Sequence, residues 1–516
     1  MPDAPVPTSR RRVPSGVPGL DALLKGGLPG ERIYLVSGGP GSGKTTLGFQ
    51  FLLEGVDRVE SCLYVSLLQT REEISDVARS HGWDLDGLTL VELPDELREQ
   101  HTPRQTIFNP AEVELDEITD TIVEKIAELR PKRMVLDSLS ELGVLVDTPF
   151  QMRRQLMKLK HAWLEAGTTA IVTAGDALAR NQPTTQTIVN GAIHLRQETP
   201  GFGQPRRRIE ITKVRGIDFR GGLHEFEIET GGIAVYPRLG EPEDGAGKKR
   251  QVIASGNAEL DALFGGGLHR GSACLVMGTS GSGKSTLASL YASAVAGGGG
   301  FASVYCLDES RATLLQRSRG LELGIADHID AGRIDLRDYD IGGLLPGRLM
   351  RDLREDVEQR GAQLVVIDSI NGLLQLMPHI EHPIAKLHEI LRFLSHHNVL
   401  TIATANLHGV SGELQTQLDT SYLADSVVLM RHFEAAGSVR QCISVLKQRH
   451  GRHERTIREV NFVTGGLELG PPLEAFSGVL SGHPVYHGEG NHLMSPNAGW
   501  AASEANSDNR GADGER

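Results

Sequence analysis

Two octapeptides in this 516-residue sequence have the residue types and the spacing that bind phosphate groups. The first is GGPGSGKT, residues 38–45, and the second is GTSGSGKS, residues 278–285. Both fit the pattern G-x-x-x-x-G-K-[ST], in which the glycines let successive backbone N–H groups curl around a phosphate. The lysine adds positive charge beside the β- and γ-phosphates, and the following helix directs its positive end at the anion. We therefore expect two binding sites for a nucleoside triphosphate.

These two loops supply most of the predicted nucleotide-binding residues. In the first loop they are Gly38, Gly39, Pro40, Gly41, Ser42, Gly43, Lys44, Thr45 and Thr46. In the second loop they are Gly278, Thr279, Ser280, Gly281, Ser282, Gly283, Lys284, Ser285 and Thr286. We also count Lys284 among the catalytic residues, because its charge is placed beside the phosphates that react.

Two carboxylates are expected to complete the magnesium sites. Asp137 and Asp368 each end an apolar run and are each followed by serine, in RMVLDS and LVVIDS. An aspartate at that position can hold Mg²⁺ through water, together with the hydroxyl of Thr45 or Ser285. The alternative is that each aspartate only caps a turn.

The two halves differ at the residue that would act on the attacking oxygen. Phosphoryl transfer and hydrolysis need a group that orients or deprotonates this oxygen. The string YCLDES places Asp308 and Glu309 there, whereas the matching string YVSLLQT places Leu68 and Gln69. Leucine accepts no proton, so we expect the second site to be the more competent catalyst and the first mainly to hold nucleotide. The alternative is that Gln69 supports slow turnover.

Basic residues at spacing two follow a β-like run in each half. They are Lys213 with Arg215, and Lys447 with Arg449. Residues i and i+2 on a strand point to one side, so each pair can reach the γ-phosphate held by a neighbouring subunit, as an arginine finger does. The alternative is a solvated charged edge. Asn406, which ends the run NVLTIATAN, is a candidate sensor of the γ-phosphate.

The sequence around these residues is repeated in the chain. The segment SGVPGLDALLKGGLPGERIYLVSGGPGSGKTTL begins at Ser15, and SGNAELDALFGGGLHRGSACLVMGTSGSGKSTL begins at Ser255, so the offset is 240 without a gap. A period of this length indicates two tandem copies of one domain rather than a solenoid. Short apolar runs alternate with helical segments in both copies, which predicts an α/β fold with a mainly parallel sheet and helices on both faces.

Composition shifts suggest where the domains begin and end. We expect an N-terminal arm over 1–11, a first domain over 12–238, a linker over 239–250 and a second domain over 251–486. The linker is rich in proline, glycine and charge. The last stretch, 487–516, is poor in aliphatic residues, so we expect a disordered tail there.

The composition also excludes several classes of protein. The net charge of −13 disfavours general nucleic-acid binding, and we read the basic runs 10–12 and 206–208 as exposed surface. No run of 18 apolar residues and no signal peptide is present, so we expect no membrane span and a cytoplasmic location. The four cysteines show no zinc spacing and are expected to be buried thiols.

Taken together, these motifs resemble the KaiC family of tandem RecA-like ATPases over nearly the whole chain. The matching features are the paired S-G-x-x-x-L-D-x-L-x-x-G-G-L openings, both phosphate loops, the string DESR from Asp308, Lys447-x-Arg449, LDTSYLADSVVLM and FSGVLSG. The resemblance implies two tandem RecA-like P-loop NTPase domains, ATP and Mg²⁺ as cofactors, and a two-tiered homo-hexamer with nucleotide between subunits. It also implies regulatory partners of the KaiA and KaiB type.

The resemblance further implies transfer of phosphate to a Ser/Thr pair in the second copy. Counting back from Asp425, that pair falls on Ser421 and Tyr422, so the serine is kept and the threonine is replaced. We expect serine/threonine autokinase activity at the single site Ser421, with Thr420 as a substitute acceptor, and not ordered two-site cycling. The alternative is that Ser421 is an unmodified turn residue.

Two other functions compete with a signalling ATPase and autokinase. One is a RecA-like nucleic-acid motor, which would need basic residues along a central channel and salt-sensitive DNA binding. The other is a nucleotide-gated scaffold with little turnover, which Leu68 and Gln69 favour for the first copy.

Overall fold

The computed structural model describes most of the chain as two compact units, divided between Arg238 and Leu239. The described residues are 11–93, 110–146, 148–181, 183–199, 205–238, 251–339, 346–375, 383–407, 422–435, 437–480, 483–488 and 493. The predicted linker 239–250, all of the arm except Arg11 and nearly all of the tail 487–516 lie outside the described residues, so the domain boundaries stay predictions.

The first unit alternates strands with helices. Its described strands are β1 (Arg12–Val13), β2 (Leu28–Pro29), β3 (Ile33–Gly38), β4 (Cys62–Ser66), β5 (Leu88–Glu92), β6 (Arg133–Asp137), β7 (Thr169–Ala174), β8 (Gly191–Glu198), β9 (Arg206–Val214), β10 (Leu223–Glu229) and β11 (Gly232–Tyr236). Its described helices are α1 (Leu20–Leu23), α2 (Lys44–Asp57), α3 (Arg71–His81), α4 (Pro110–Leu129), α5 (Leu139–Val144), α6 (Pro149–Ala166), α7 (Asp176–Asn181) and α8 (Pro183–Ile188).

The second unit repeats this order and adds a short hairpin. Its described strands are β12 (Val252–Ile253), β13 (Leu268–His269), β14 (Ala273–Gly278), β15 (Ala302–Cys306), β16 (Ile334–Asp338), β17 (Leu364–Asp368), β18 (Leu400–Asn406), β19 (Ser426–Ala435), β20 (Ser438–Gln448), β21 (Arg458–Val463), β22 (Gly466–Pro472), β23 (Phe476–Ser477) and β24 (Val485–Tyr486). Its described helices are α9 (Ala258–Leu263), α10 (Lys284–Gly297), α11 (Arg311–Gly320), α12 (Ile325–Asp330), α13 (Pro346–Glu358), α14 (Ile370–Gln375) and α15 (Pro383–His396).

Each unit is built on one large sheet that is parallel at one end and antiparallel at the other. In the described residues the first sheet has nine strands in the order β11-β10-β9-β8-β3-β7-β6-β4-β5. The second has nine in the order β16-β15-β17-β18-β14-β19-β20-β21-β22. The strands from β8 to β5 pair in parallel, while β9 to β11 pair antiparallel. The predicted α/β fold with two tandem RecA-like domains is therefore confirmed.

Burial on both faces of the sheet explains why the strands are apolar without alternation. In β3, Tyr34 and Val36 enter the core on the α2 side, and Ile33 and Leu35 enter the core on the other side. Every second side chain therefore serves a different layer. The central strand thus has little freedom to shift its register, which fixes the position of the loop that follows it.

The two units place their matching residues in equivalent positions. Ser66 pairs with Asp137 across β4 and β6, as Cys306 pairs with Asp368 across β15 and β17. The next residue in each case donates its N–H to the aspartate carbonyl, at 2.8 Å in the first unit and 2.7 Å in the second. It follows that Leu68 and Gln69 occupy the positions of Asp308 and Glu309.

Two expectations about the environment of the chain can be compared with the described residues. No helix among them is long and apolar enough to cross a membrane. The four cysteines, which are Cys62, Cys274, Cys306 and Cys442, are buried free thiols.

Candidate functional site

Each phosphate loop lies between a central strand and a helix. The first loop joins β3 to α2, and the second joins β14 to α10. Gly43 and Gly283 precede the helices with φ of 100° and 97°, a left-handed conformation that favours glycine. No side chain caps either helix, so the N–H groups of the first turn face the loop. This is the arrangement that attracts an anion.

The start of each loop packs too tightly for a side chain. A Cβ on Gly38 would lie 2.4 Å from Ser42 Oγ, and one on Gly278 would lie 2.2 Å from the carbonyl oxygen of Met430. The hydroxyls of Ser42 and Ser282 are buried in these loops without a hydrogen-bond partner. Buried polar groups are normally hydrogen-bonded. The glycines, the helix ends and these hydroxyls therefore fit a phosphate chain.

The two loop lysines lie against their own loops. Lys44 Nζ donates to the carbonyl oxygens of Gly38 and Gly39 at 3.0 and 2.8 Å. Lys284 Nζ donates to the carbonyl of Thr279 at 2.8 Å. Burial lowers the pKa of both lysines, and two nearby carboxylates act against it in each case. Each amine is thus held in a partly desolvated, acidic pocket.

The predicted metal ligands of the first unit lie together. Thr45 Oγ1 donates to Asp137 Oδ2 at 2.6 Å, and the Tyr64 hydroxyl donates to the same oxygen at 2.9 Å. Thr173 Oγ1 donates to Asp137 Oδ1 at 2.5 Å. A hydroxyl beside a carboxylate is a ligand set that Mg²⁺ accepts, with phosphate oxygens completing it. The first site therefore fits magnesium.

The second unit keeps this arrangement in part. Thr404 Oγ1 donates to Asp368 Oδ1, as Thr173 does to Asp137. Ser285 is the second residue of helix α10, directly after Lys284, and it therefore occupies the position that Thr45 has in helix α2. Sequence reasoning missed both threonines, since nothing in their local sequence marks them as partners of the aspartates.

The acidic pair of the second unit separates into two different environments. Asp308 is exposed, and its Oδ2 accepts hydrogen bonds from Ser369 Oγ at 2.5 Å and from Asn406 Nδ2 at 3.2 Å. Glu309 instead receives both terminal nitrogens of Arg317 at 2.7 Å. The structure thus brings Asp308 and Asn406 together at the carboxyl edge of the sheet, and it holds Glu309 against helix α11.

The first unit has no carboxylate at these two positions. Leu68 is 66% exposed, and the backbone carbonyl of Gln69 accepts a hydrogen bond from Ser66 Oγ at 2.7 Å. The apolar side chain of Leu68 therefore stands in the place that Asp308 occupies in the second unit.

The basic pair of the first unit lies at the amino ends of the parallel strands, whereas the phosphate loop of that unit lies at their carboxyl ends. Lys213 Nζ donates to the carbonyls of Gln186 and Val189 at 2.7 and 2.9 Å, and Arg215 donates to Thr187 at 2.9 Å. These carbonyls precede strand β8, whereas the loop follows the carboxyl end of β3. Because β3 and β8 are parallel, the pair cannot serve its own unit's loop.

The second unit repeats this placement. Lys447 Nζ donates to the carbonyl of Ala424 at 2.8 Å, and Arg449 donates to Tyr422 at 3.0 Å, both before strand β19. Tyr422 is 53% exposed. The predicted phosphorylation residues, Ser421 and Thr420, lie outside the described residues.

One basic run differs from expectation. Residues 206–208 lie on strand β9 and are half-buried rather than fully exposed. Arg208 Nη1 lies 3.4 Å from Glu198 Oε2 on the neighbouring strand. Strand pairing places an acidic partner beside this arginine, so the run offers less free positive charge than its sequence indicates.

The chain matches known proteins along most of its length. The family model described as ATPase: KaiC matches it twice, over residues 13–240 and 253–474. The circadian clock protein KaiC3 of Synechocystis sp. is 28% identical, with 92% of this chain and 95% of that protein covered. The circadian clock protein KaiC2 of the same organism is 27% identical, over 91% and 83% of the two chains. The circadian clock oscillator protein KaiC of Acaryochloris marina is 25% identical, over 91% and 90%.

The family model, the duplicated sheets and the two phosphate loops agree with one another. The predicted resemblance is therefore confirmed, and the chain belongs to the KaiC family of ATPases.

Proposed function

We propose that this KaiC-family ATPase works as a homo-hexamer whose second copy transfers phosphate from Mg-ATP to Ser421 of the chain. The observation that carries the proposal is the position of Asp308 beside Asn406 and Ser369, at the edge where the second phosphate loop lies. A carboxylate there can accept the proton of an attacking hydroxyl. The first copy, with Leu68 at that position, mainly holds nucleotide and supports the assembly.

Each residue of the second site has a separate task in this proposal. Bound Mg-ATP supplies the phosphoryl group, and Lys284 offsets its negative charge. Ser285 and Asp368 hold the metal. Asp308 takes the proton from the acceptor oxygen, while Asn406 orients that carboxylate. Glu309 fixes helix α11 through Arg317 and acts as a positioning residue.

The basic pairs support an assembly in which subunits share sites. Lys213 with Arg215, and Lys447 with Arg449, lie at the sheet edge away from their own loops. A cation at that edge can reach a γ-phosphate only on another subunit, where it would offset the charge of the transition state. Light scattering with and without Mg-ATP tests the assembly. The proposal expects nucleotide to increase the hexamer fraction by mass action, and an unchanged mass contradicts it.

Phosphosite mapping tests the kinase activity. The purified chain is incubated with Mg-ATP, and the peptide spanning residues 415–426 is analysed by mass spectrometry. We expect phosphate on Ser421, a smaller amount on Thr420, and none on either in a Lys284→Ala control. An unphosphorylated peptide from a chain that binds ATP would remove the kinase claim and leave an ATPase only.

The names of the relatives support a further proposal, on the place of the protein in the cell. The relatives are named as circadian clock proteins, and we propose that this chain likewise acts in cytoplasmic signalling with regulatory protein partners. Pull-down from a lysate with and without ATP tests this: partners that bind in only one nucleotide state support a regulatory role.

A further inference from the structure

Two side chains on β19 and β20 contact the second phosphate loop. His432 on β19 places its Nδ1 at 3.1 Å from Oγ1 of the loop residue Thr279. Gln441, the register partner of His432 on β20, donates its Nε2–H to the carbonyl oxygen of Gly281 at 2.8 Å. The loop is therefore held at two points by neighbouring strands. These four residues, Thr279, His432, Gln441 and Gly281, are called the loop brace below.

The partners of the His432 ring determine which of its nitrogens carries the proton. Burial lowers the pKa of His432, so the ring is neutral at pH 7. Gln441 Nε2, an amide donor without a lone pair, lies 3.4 Å from His432 Nε2, so that ring nitrogen is the acceptor. The proton is then on Nδ1, which donates to Thr279 Oγ1. The brace is thus a continuous chain of hydrogen bonds from the amide to the loop hydroxyl.

Thr279 connects this brace to the lysine of the second site. Its hydroxyl is held by His432, and its carbonyl oxygen accepts a hydrogen bond from Lys284 Nζ at 2.8 Å. Binding of a phosphate by a glycine-rich loop depends on backbone N–H groups that already curve around the anion. A loop fixed at Thr279 and at Gly281 keeps this curve before nucleotide arrives, which lowers the entropic cost of binding.

The first unit cannot form the same brace. The strand registers match Gln197 on β8 with His432 on β19. A Cβ on Gly41 would lie 4.0 Å from Gln197 Oε1, so this amide is also beside its loop. The loop alignment, however, matches Thr279 with Gly39, which has no side chain to receive a hydrogen bond. The hydroxyl end of the brace is therefore a property of the second copy.

We propose that His432 and Gln441 are positioning residues of the second site, which act on bound nucleotide through Thr279 and Gly281. They order the phosphate loop in advance and so raise the affinity of the second copy for a nucleoside triphosphate. The first copy binds nucleotide without this contribution. The inference rests on the proposed function, because it assumes that the second loop binds Mg-ATP.

The test measures nucleotide affinity at the second loop alone. All variants are made in the full-length chain with Lys44→Ala, and the ligand is a fluorescent, non-hydrolysable ATP analogue with Mg²⁺. Thr279→Val keeps the shape of threonine and removes the hydroxyl, while His432→Ala removes the ring. His432→Asn is the conservative variant, because it places an amide N–H near the position of Nδ1. The matched control is His388→Ala, which removes an exposed histidine on helix α15.

The expected changes follow from the loss of one hydrogen bond. His432→Ala and Thr279→Val each raise the dissociation constant about two- to tenfold, the range that one net hydrogen bond supports. The double variant binds about as tightly as either single variant, because both substitutions break the same bond. His432→Asn binds more tightly than His432→Ala, and His388→Ala binds as the parent chain does.

Several results would overturn the assignment. Affinities equal to that of His388→Ala mean that the brace does not act on the loop, and losses that multiply in the double variant mean that His432 and Thr279 act separately. If His432→Ala lowers the thermal midpoint without nucleotide, Thr279→Val decides, and its unchanged affinity refutes the inference. A Lys44→Ala chain that binds no nucleotide refutes the proposed function itself, whereas the other outcomes leave that function standing.

Discussion

The substitution Asp308→Asn tests most directly whether Asp308 and Glu309, the two neighbouring acidic residues of the second unit, have different roles. Asparagine has nearly the size of aspartate and keeps one carbonyl oxygen for the donors Ser369 and Asn406. It accepts no proton, so the chemical role is removed while the packing is retained. The matched substitution is Glu309→Gln, which changes the neighbouring carboxylate in the same way.

The expected magnitudes differ because the two environments differ. Loss of a positioned base lowers phosphoryl transfer by about 10²–10⁴-fold, which is about 3–5 kcal/mol in the barrier. Glu309→Gln weakens two charge-assisted hydrogen bonds with Arg317, an effect on stability of about 1–3 kcal/mol. We therefore expect a large catalytic defect at Asp308 and a mainly structural defect at Glu309.

The assay follows phosphate incorporation into residues 415–426 and the thermal midpoint of the same samples. Asp308→Asn is expected to lose incorporation with little change in midpoint, and Glu309→Gln is expected to lower the midpoint with a smaller kinetic effect. Equal loss of incorporation in both variants refutes the separation of roles. Incorporation within threefold of the unmodified chain in Asp308→Asn refutes the assignment of the base itself.

Three further predictions address the rest of the site and the fold. Lys44→Ala and Lys284→Ala should each remove nucleotide binding at one loop, which halves the stoichiometry measured by calorimetry. Lys447→Ala subunits mixed with Lys284→Ala subunits should regain phosphorylation that neither shows alone, and no recovery would contradict action across subunits. Burial lowers the pKa of His224, so the unfolded state binds the proton first. The contribution of His224 to the free energy of unfolding is therefore fully present above pH of about 6.5 and is lost as pH falls. In thermal scans, the midpoint of His224→Gln should fall less with decreasing pH than that of the unmodified chain.

Much of the architecture could be predicted because its signals are local. A glycine loop, a strand-ending aspartate and an acidic or apolar pair are each contained within a few residues, and the repeat places them twice, at an offset of 240 for the loop and the pair and of 231 for the aspartate. The correspondence between Leu68 in the first copy and Asp308 in the second follows from the same alignment. The strand registers of the two units agree with it.

Contacts between strands distant in sequence could not be predicted in this way. Thr173 and Asp137 are 36 residues apart, and they meet because β6 and β7 are neighbours in the sheet. The pairing of Glu309 with Arg317 depends on the direction in which helix α11 leaves its cap at Ser310. Neither fact is contained in a motif.

In each unit the basic pair lies at the amino ends of the parallel strands, and the phosphate loop lies at their carboxyl ends. Each unit therefore has two different contact surfaces, one at each end of the sheet. Subunits that join through two different surfaces form head-to-tail contacts, and an open row of subunits always leaves one basic pair and one phosphate loop without a partner. Only a closed ring pairs every phosphate loop with the basic pair of a neighbouring subunit. Under our proposal, output per molecule then depends on how concentrated the protein is, and dilution alone would act as an off switch.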